Sequence, residues 1–243
     1  MWDRDFRQAS SQTPGMACPS VVPAKGSVPL TAIGVHRVAL IGDSIMEQSS
    51  CTVATSLASV GVQTERDAVA GSGLLTGFVN WPMRTKQILD TYHPDVVVAI
   101  FVGNYFGPPV RDSDGHLIGD NTPAFFDAWQ SQAERLSAEV LGAGAQMFWV
   151  SPPPLFRPPL NHADRLFDGY RSISGDHTLP SGSVLAGSKG QWVLSKPTCG
   201  HVEIIRNPMD DTHLTDAGAR LYGEQIAHDL TEQLGILTTP KPC

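Results

Sequence analysis

The sequence predicts an α/β protein built on a mainly parallel sheet, and three observations carry that prediction. First, Val38-Ala39-Leu40-Ile41 is an unbroken apolar run that ends in Gly42-Asp43-Ser44. Second, Val96-Val97-Val98-Ala99-Ile100-Phe101-Val102 is a longer and more strongly apolar run. Continuous runs of this kind read as strands buried on both faces, which is the condition of strands in a parallel sheet. Third, the segments between such runs are compatible with helices, so strands and helices alternate along the chain.

Each element can be justified in order. Residues 1–35 are polar and rich in Pro, Gly and Ser, and they read as an extended leader pinned by Cys18. Residues 36–243 read as a single domain. The first strand covers residues 37–41. A helix follows over residues 45–60 and stops at Gly61. The second strand, residues 62–70, runs into the glycine-rich turn Gly71-Ser72-Gly73. That turn lacks both the Gly-Lys-Ser/Thr ending of a phosphate loop and the spacing of a dinucleotide fingerprint. Trp81-Pro82 opens a helix to Tyr92, with proline in the first turn where it is tolerated, and Pro94 ends it. The third strand, residues 95–102, closes on Gly103-Asn104. Asp112-Ser113-Asp114-Gly115 starts like a calcium loop but lacks the remaining ligands and reads as a polar turn.

Thr122-Pro123 starts a helix to Leu141 whose apolar positions Phe126, Trp129, Ala133, Leu136 and Val140 have helical spacing. The fourth strand covers residues 146–151, and Pro152-Pro153-Pro154 then breaks regular structure. Residues 152–200 show little periodicity. They read as a long functional loop insertion or lid, with a helix over about 162–173. The last helix runs over 215–234, with Thr215 as its N-cap and Asp216 favoured in the first turn by the helix dipole.

Composition narrows the class of function. The 243 residues are 41% hydrophobic, enough for one substantial core. The formal charge of −7 and the absence of a Lys/Arg run argue against nucleic acid or an anionic membrane as the main partner. No apolar run reaches the roughly 20 residues that span a bilayer. The four cysteines, Cys18, Cys51, Cys199 and Cys243, contain no C-x-x-C pair. An even count with one near each terminus suits two disulfides in an exported protein. The expected pairs are Cys18–Cys51 and Cys199–Cys243, each tying a tail to the body; four separate buried thiols are the alternative. The start Met1-Trp2-Asp3-Arg4 is no signal peptide. The chain is therefore either cytoplasmic or cut back from a longer precursor, and the cysteines favour a secreted or cell-envelope protein.

The chemistry concentrates at two ends of the chain. Ser44 falls at the carboxyl edge of the first strand, where open α/β sheets place their sites. A serine there is either an exposed nucleophile or a cap for the next helix. Asp210-Asp211-Thr212-His213 near the other end decides between them. A carboxylate three residues before a histidine can hold Nδ1 of its ring and leave Nε2 to take the serine proton, the logic of a Ser-His-Asp triad. Asp211 is the rival to Asp210.

These blocks resemble those of the SGNH, or GDSL-type, hydrolases. Gly42-Asp43-Ser44 matches the first block of that family and Asp210-Asp211-Thr212-His213 the last. Gly71-Ser72-Gly73 looks like its glycine block and Gly103-Asn104 its asparagine block, although Tyr105 stands where many members carry Asp. The resemblance implies a three-layer α/β/α sandwich of flavodoxin-like type. It also implies catalysis by Ser44, Asp210 and His213, and an oxyanion hole formed by the N–H of Ser44, the N–H of Gly71 and the side chain of Asn104. Gly73 is a second candidate within the glycine block. No cofactor or metal is required by such a mechanism.

The expected activity is hydrolysis of carboxylic esters, acyl or acetyl, on cell-envelope carbohydrates or lipids through an acyl-enzyme. One alternative is O-acyl transfer to an envelope glycan by the same triad. A second is a non-catalytic carbohydrate-binding relative. The expected partner is a small-molecule or glycan ester, and the chain is expected to be a monomer. The aromatic residues Phe78, Trp81, Tyr105, Phe106 and Trp192 are expected to flank the site. His162, His177 and His201 are further candidates for a pocket lining.

Overall fold

The structure is a computed structural model that describes Cys18 and residues 33–75, 77–105, 110–112, 114–157 and 160–235. The expected leader therefore lies outside the described residues except for Cys18 and 33–35, and so does Cys243.

Five strands form one parallel sheet in the order β2-β1-β3-β4-β5: β1 Arg37–Gly42, β2 Gln63–Ala68, β3 Val96–Ile100, β4 Gln146–Val150 and β5 Thr178–Leu179. This is the flavodoxin-like order, whose switch point lies between β1 and β3. Alternation along the strands sends side chains to two separate cores. Val38, Leu40, Val96, Val98, Ile100, Phe148 and Val150 join one; Ala39, Ile41, Val97, Ala99, Met147 and Trp149 join the other. The first core is covered by α1 (Ser44–Ala58) and α5 (Asp216–Gln233). The second is covered by α2 (Trp81–Tyr92), α3 (Pro123–Gly142) and α4 (Ala163–Ser174). Because β1, β3 and β4 serve both cores, their sequences cannot alternate in polarity, and this is why they read as continuous apolar runs. The edge strand β2, Gln-Thr-Glu-Arg-Asp-Ala, is polar, which blunts the open edge.

The helix starts follow their caps. Asn80 accepts from the Met83 N–H at 3.0 Å, Thr122 from Phe125 at 3.2 Å and Thr215 from Gly218 at 3.2 Å.

Residues 152–200 carry the expected helix as α4, but they are more structured around it than the long loop insertion expected of them. They supply α4 and the fifth strand of the sheet, then a 3-10 turn at Ser181–Leu185 and the first strand of an antiparallel hairpin, β6 Ser195–Thr198 with β7 His201–Ile204. Two residues of β5 are too few to show a period, so this strand is invisible in the sequence. Thr178 and Leu179 become a strand only because they pair with Trp149 and Val150.

Cys18 is disulfide-bonded to Cys51 on α1, with Cα atoms 5.3 Å apart, as expected. Cys199 is also disulfide-bonded, at the turn of the β6–β7 hairpin; its expected partner Cys243 lies outside the described residues. Among the described residues no helix is long and apolar enough to cross a membrane.

Candidate active site

The site is built at the carboxyl edge of β1 and β3. Gly42 ends β1 with φ of 156°, and a Cβ there would collide with the Ile100 carbonyl on the neighbouring strand. The chain can turn this closely to β3 only without a side chain. Asp43 then caps α1 by accepting from the Ile45 N–H at 3.0 Å. Ser44 follows as the first residue of α1, only 7% exposed. The nucleophile candidate is thus placed by a buried strand, a tight glycine and a helix N-terminus.

The histidine comes from a loop folded back on itself. Arg206 and Leu214 pair across its base, and the Asn207 N–H donates to the His213 carbonyl at 2.8 Å. Within the loop one Asp210 oxygen accepts from the N–H of Thr212 at 3.0 Å and of His213 at 2.9 Å. Its other oxygen lies 2.8 Å from His213 Nδ1. His213 Nε2 lies 3.1 Å from Ser44 Oγ, across 169 positions of sequence. A carboxylate can only accept, so Nδ1 carries the proton and Nε2 is the acceptor for the serine hydroxyl.

Asp211 has another place. Its carboxylate pairs with Arg157 at 3.1 Å, its φ is 57°, and its carbonyl accepts from Trp192 Nε1 at 2.9 Å. Of the two adjacent carboxylates, Asp210 is therefore the one at the histidine ring.

Four residues that support this loop belong to no motif. Gln48 on α1 accepts from the Leu214 N–H at 3.0 Å and donates to the Leu214 carbonyl at 3.3 Å. Asn207 donates to Asp210 at 3.2 Å. Arg157 and Trp192 hold Asp211 from outside. Only the spacing of Gln48, four residues after Ser44 and so one helical turn along the same face, is a signal a sequence could offer.

The two glycines of the second block separate clearly. Gly73 has no room for a side chain: a Cβ would strike the Asn104 carbonyl oxygen and lie 3.1 Å from the Trp129 ring. It is a packing glycine. Gly71 has φ of 72° and open space, with the Phe78 ring 4.0 Å from where a Cβ would be. Among the described residues nothing takes up its N–H. Asn104 is 4% exposed, and its Nδ2 donates to the Ser72 carbonyl at 2.9 Å and to Asp43 Oδ2 at 3.3 Å. It thereby ties the glycine block to the nucleophile's own turn.

Two carboxylates of the site are pushed in opposite directions. Asp43 is fully buried, and that burial raises its carboxyl to about 7, against the pull of N–H donors from Val102 and Ile45 and the nearby His213. Burial also pushes Asp210 up, but the N–H and ring of His213 and the N–H of Thr212 outweigh it and hold Asp210 below its ordinary value. Behind the loop Arg206 is fully buried, with one nitrogen donating to the Pro154 carbonyl at 2.8 Å. Burial lowers its guanidinium to about 10.

The other expected residues fall in different places. Trp81 is not at the site: it is 1% exposed and packs edge-on to Phe101 in the core. Helical spacing against the Ala39 face of the sheet draws it inward. Tyr105 anchors a loop, donating to the Ile118 carbonyl at 2.9 Å and accepting from the Val110 N–H at 2.9 Å. Phe78 is exposed beside Gly71, Trp192 stands against Asp211, and Phe106 lies outside the described residues. His177 stacks on Phe148 and His162 meets Phe126 edge-on, contacts that include none of Ser44, Asp210 and His213, and His201 is exposed on β7. A cavity of about 290 Å³ lies between α3 and α4 and includes none of Ser44, Asp210 and His213. His228, Asp229 and Glu232 could approach one cation, but Asp229 already accepts from Ser181 at 2.6 Å and Gln225 at 2.6 Å.

Solved structures place this architecture. A psychrotrophic esterase, EstA from Pseudoalteromonas sp., is 12% identical with a TM-score of 0.55, covering 82% of this chain and 99% of its own. An acetyl-xylooligosaccharide esterase variant from Geobacillus Stearmophilus is 13% identical with a TM-score of 0.52, covering 83% and 95%. A GDSL-like lipase from Bacteroides thetaiotaomicron is 13% identical with a TM-score of 0.51, covering 82% and 87%. The fold is that of the SGNH/GDSL hydrolases. No curated protein matches the sequence. The chain belongs to the family described as "Protein of unknown function (DUF459)", which it matches over residues 37–229.

Proposed function

We propose that the protein is a serine esterase that cleaves carboxylic esters through an acyl-enzyme on Ser44. The observation that supports this most is the unbroken hydrogen-bond chain from Asp210 to His213 Nδ1 and from His213 Nε2 to Ser44 Oγ. In the proposed reaction Ser44 Oγ bonds to the ester carbonyl carbon and its proton passes to His213 Nε2. The carbonyl oxygen becomes an oxyanion facing the N–H of Ser44, the N–H of Gly71 and the amide of Asn104. Collapse breaks the bond to the alcohol oxygen, which leaves with the proton from His213. Water repeats the sequence on the acyl-enzyme and regenerates Ser44. Asp210 holds the imidazole in the required tautomer and stabilises the imidazolium.

The nature of the fold relatives, an esterase, an acetyl-xylooligosaccharide esterase and a lipase by their names, supports an ester as the bond cleaved. The Cys18–Cys51 disulfide supports an extracytoplasmic setting, where such bonds persist. The test is hydrolysis of p-nitrophenyl esters from acetate to long chains by wild type and Ser44→Ala. The proposal predicts a loss of roughly 10⁴-fold or more in kcat on losing the nucleophile. Equal rates for the two proteins would overturn it. A second arm adds a glycan acceptor. Acyl transfer exceeding hydrolysis there would move the assignment to an O-acyltransferase using the same residues.

A further inference from the structure

We propose that Asp43 is the positioning residue of the oxyanion hole, fixing which end of the Asn104 amide faces the reacting carbonyl. This rests on the serine-esterase proposal, because it assigns Asn104 a donor role in that reaction.

Asp43 does more than cap α1. Its Oδ1 takes the Ile45 N–H at 3.0 Å, while Oδ2 takes the Val102 N–H at 2.7 Å and approaches Asn104 Nδ2 at 3.3 Å. One fully buried carboxylate thus joins the first turn of the nucleophile's helix, the end of β3 and the proposed oxyanion side chain. A helix cap alone needs only the first of these contacts.

The chemistry of the neighbours makes the Asn104 contact directional. An amide can present either Nδ2, a donor, or Oδ1, an acceptor. Nδ2 of Asn104 sits between the Ser72 carbonyl and the Asp43 carboxylate. The Ser72 carbonyl only accepts, and so does Asp43 in its ionised form, which prevails above about pH 7, where the kinetics are to be read. Turning the amide over would set Oδ1 against two oxygens in a buried site, with no donor to compensate. The donor end is therefore held between Ser72 and Asp43, the residue that precedes Ser44. The hydrogen that leans on Asp43 is the more weakly held, at 3.3 Å against 2.9 Å to Ser72, so it is the one to be shared with a developing oxyanion. An oxyanion donor contributes only when it is already oriented as charge develops.

An asparagine at position 43 removes this selection. Its own Nδ2, standing where Oδ2 now takes the Val102 N–H, can donate to Asn104 Oδ1 at the expense of that backbone bond, so the inverted amide becomes permissible and the hole presents an oxygen to an oxyanion. The effect belongs to the transition state and leaves ground-state binding alone.

The experiment is a double-mutant cycle of Asp43→Asn with Asn104→Ala, read as kcat and KM for p-nitrophenyl acetate. The rate of Ser44 labelling by a fluorophosphonate, whose phosphoryl oxygen occupies the same hole, is a second readout. Asp43→Asn is expected to lower kcat roughly 30- to 300-fold with KM within about 2-fold. On the Asn104→Ala background the same change should cost less than about 3-fold, because the amide it orients is gone. Equal fold-losses in the two backgrounds, or a change confined to KM or to melting temperature, would overturn the proposal. Should Asp43→Asn not fold, Asp43→Ser keeps an oxygen for the Ile45 cap and carries the same cycle. A Ser44→Ala control separates the two failures. If wild type is no faster than Ser44→Ala, the esterase proposal and this one fall together. If the rate depends on Ser44 but the losses at 43 and 104 simply multiply, only this inference falls.

Discussion

The proposed nucleophile and the proposed base are held by opposite means. Ser44 sits between a strand with apolar neighbours on both faces and a helix capped by a buried carboxylate, and it is 7% exposed. His213 sits on a loop outside both cores, with 39% of its side chain exposed, as is Asp210 beside it. Packing locates the serine. Polar contacts locate the histidine: Asp210 to its N–H and ring, Asn207 to Asp210, and Gln48 to Leu214. Packing against two cores resists displacement, whereas each hydrogen bond in a half-exposed loop is worth only about 1 kcal/mol net. The two halves of the proposed triad should therefore fail differently when perturbed.

The largest effect is expected at the loop. Asp210→Asn should lower kcat by about 10⁴-fold, because the neutral amide no longer selects the tautomer with its proton on Nδ1. Steady-state kinetics on a p-nitrophenyl ester would measure it. A loss of less than 10-fold, of the order of any minor contact, would mean that Asp210 only folds the loop.

Next come the two glycines. Gly73→Ala must displace the Asn104 backbone, a buried and rigid neighbour, and should cost roughly 3 kcal/mol or more of stability together with activity. Gly71→Ala has space but an unfavourable φ of 72°, so about 1–2 kcal/mol is expected. Denaturant melts compare them, and a larger loss at Gly71 would reverse their assigned roles.

A smaller effect is expected at Gln48. Gln48→Ala removes both bonds between α1 and Leu214 and should lower kcat about 10-fold with a fall in Tm of a few degrees. An unchanged kcat would show that the loop holds itself and would break the contrast drawn above.

The last prediction is a pH slope. Asp43, raised to about 7 by burial, keeps its proton in the folded protein while the unfolded chain loses it above about pH 4. Its contribution to stability therefore falls as pH rises from about 4 to 7, by at most about 1.4 kcal/mol per pH unit. Asp210 has the opposite sign. Its carboxyl is held down in the folded state, so its contribution is present above the ordinary carboxylate range and is lost as pH falls through the folded value. Melting curves from pH 4 to 8 should show Asp43→Asn gaining on wild type as pH rises, and curves carried below pH 4 should show Asp210→Asn closing its deficit as pH falls. Parallel curves would contradict both.

The same contrast explains what could be read in the sequence. β1, β3 and β4 are legible because burial on two faces demands apolar runs, and the helix starts are legible because Asn80, Thr122 and Thr215 cap locally. Ser44, Asp210 and His213 stood out through their short blocks, and both Asp210 and His213 fall within one turn. β5 did not, since two residues carry no period. Nor did the hairpin of β6 and β7, whose Val202 and Ile204 are exposed, contrary to the usual expectation for apolar strand residues. Trp81 looked like a pocket aromatic because spacing gives a face but not which core that face meets. Gln48 and Leu214 are 166 positions apart, and no local rule joins them.

The most direct test of the central claim is the site of covalent capture. Intact-mass and peptide mapping after treatment with a fluorophosphonate should find one adduct per chain, on the peptide carrying Ser44. It should be absent from Ser44→Ala and strongly slowed in His213→Ala. An adduct on another residue, or one formed as fast in Ser44→Ala, would contradict the account.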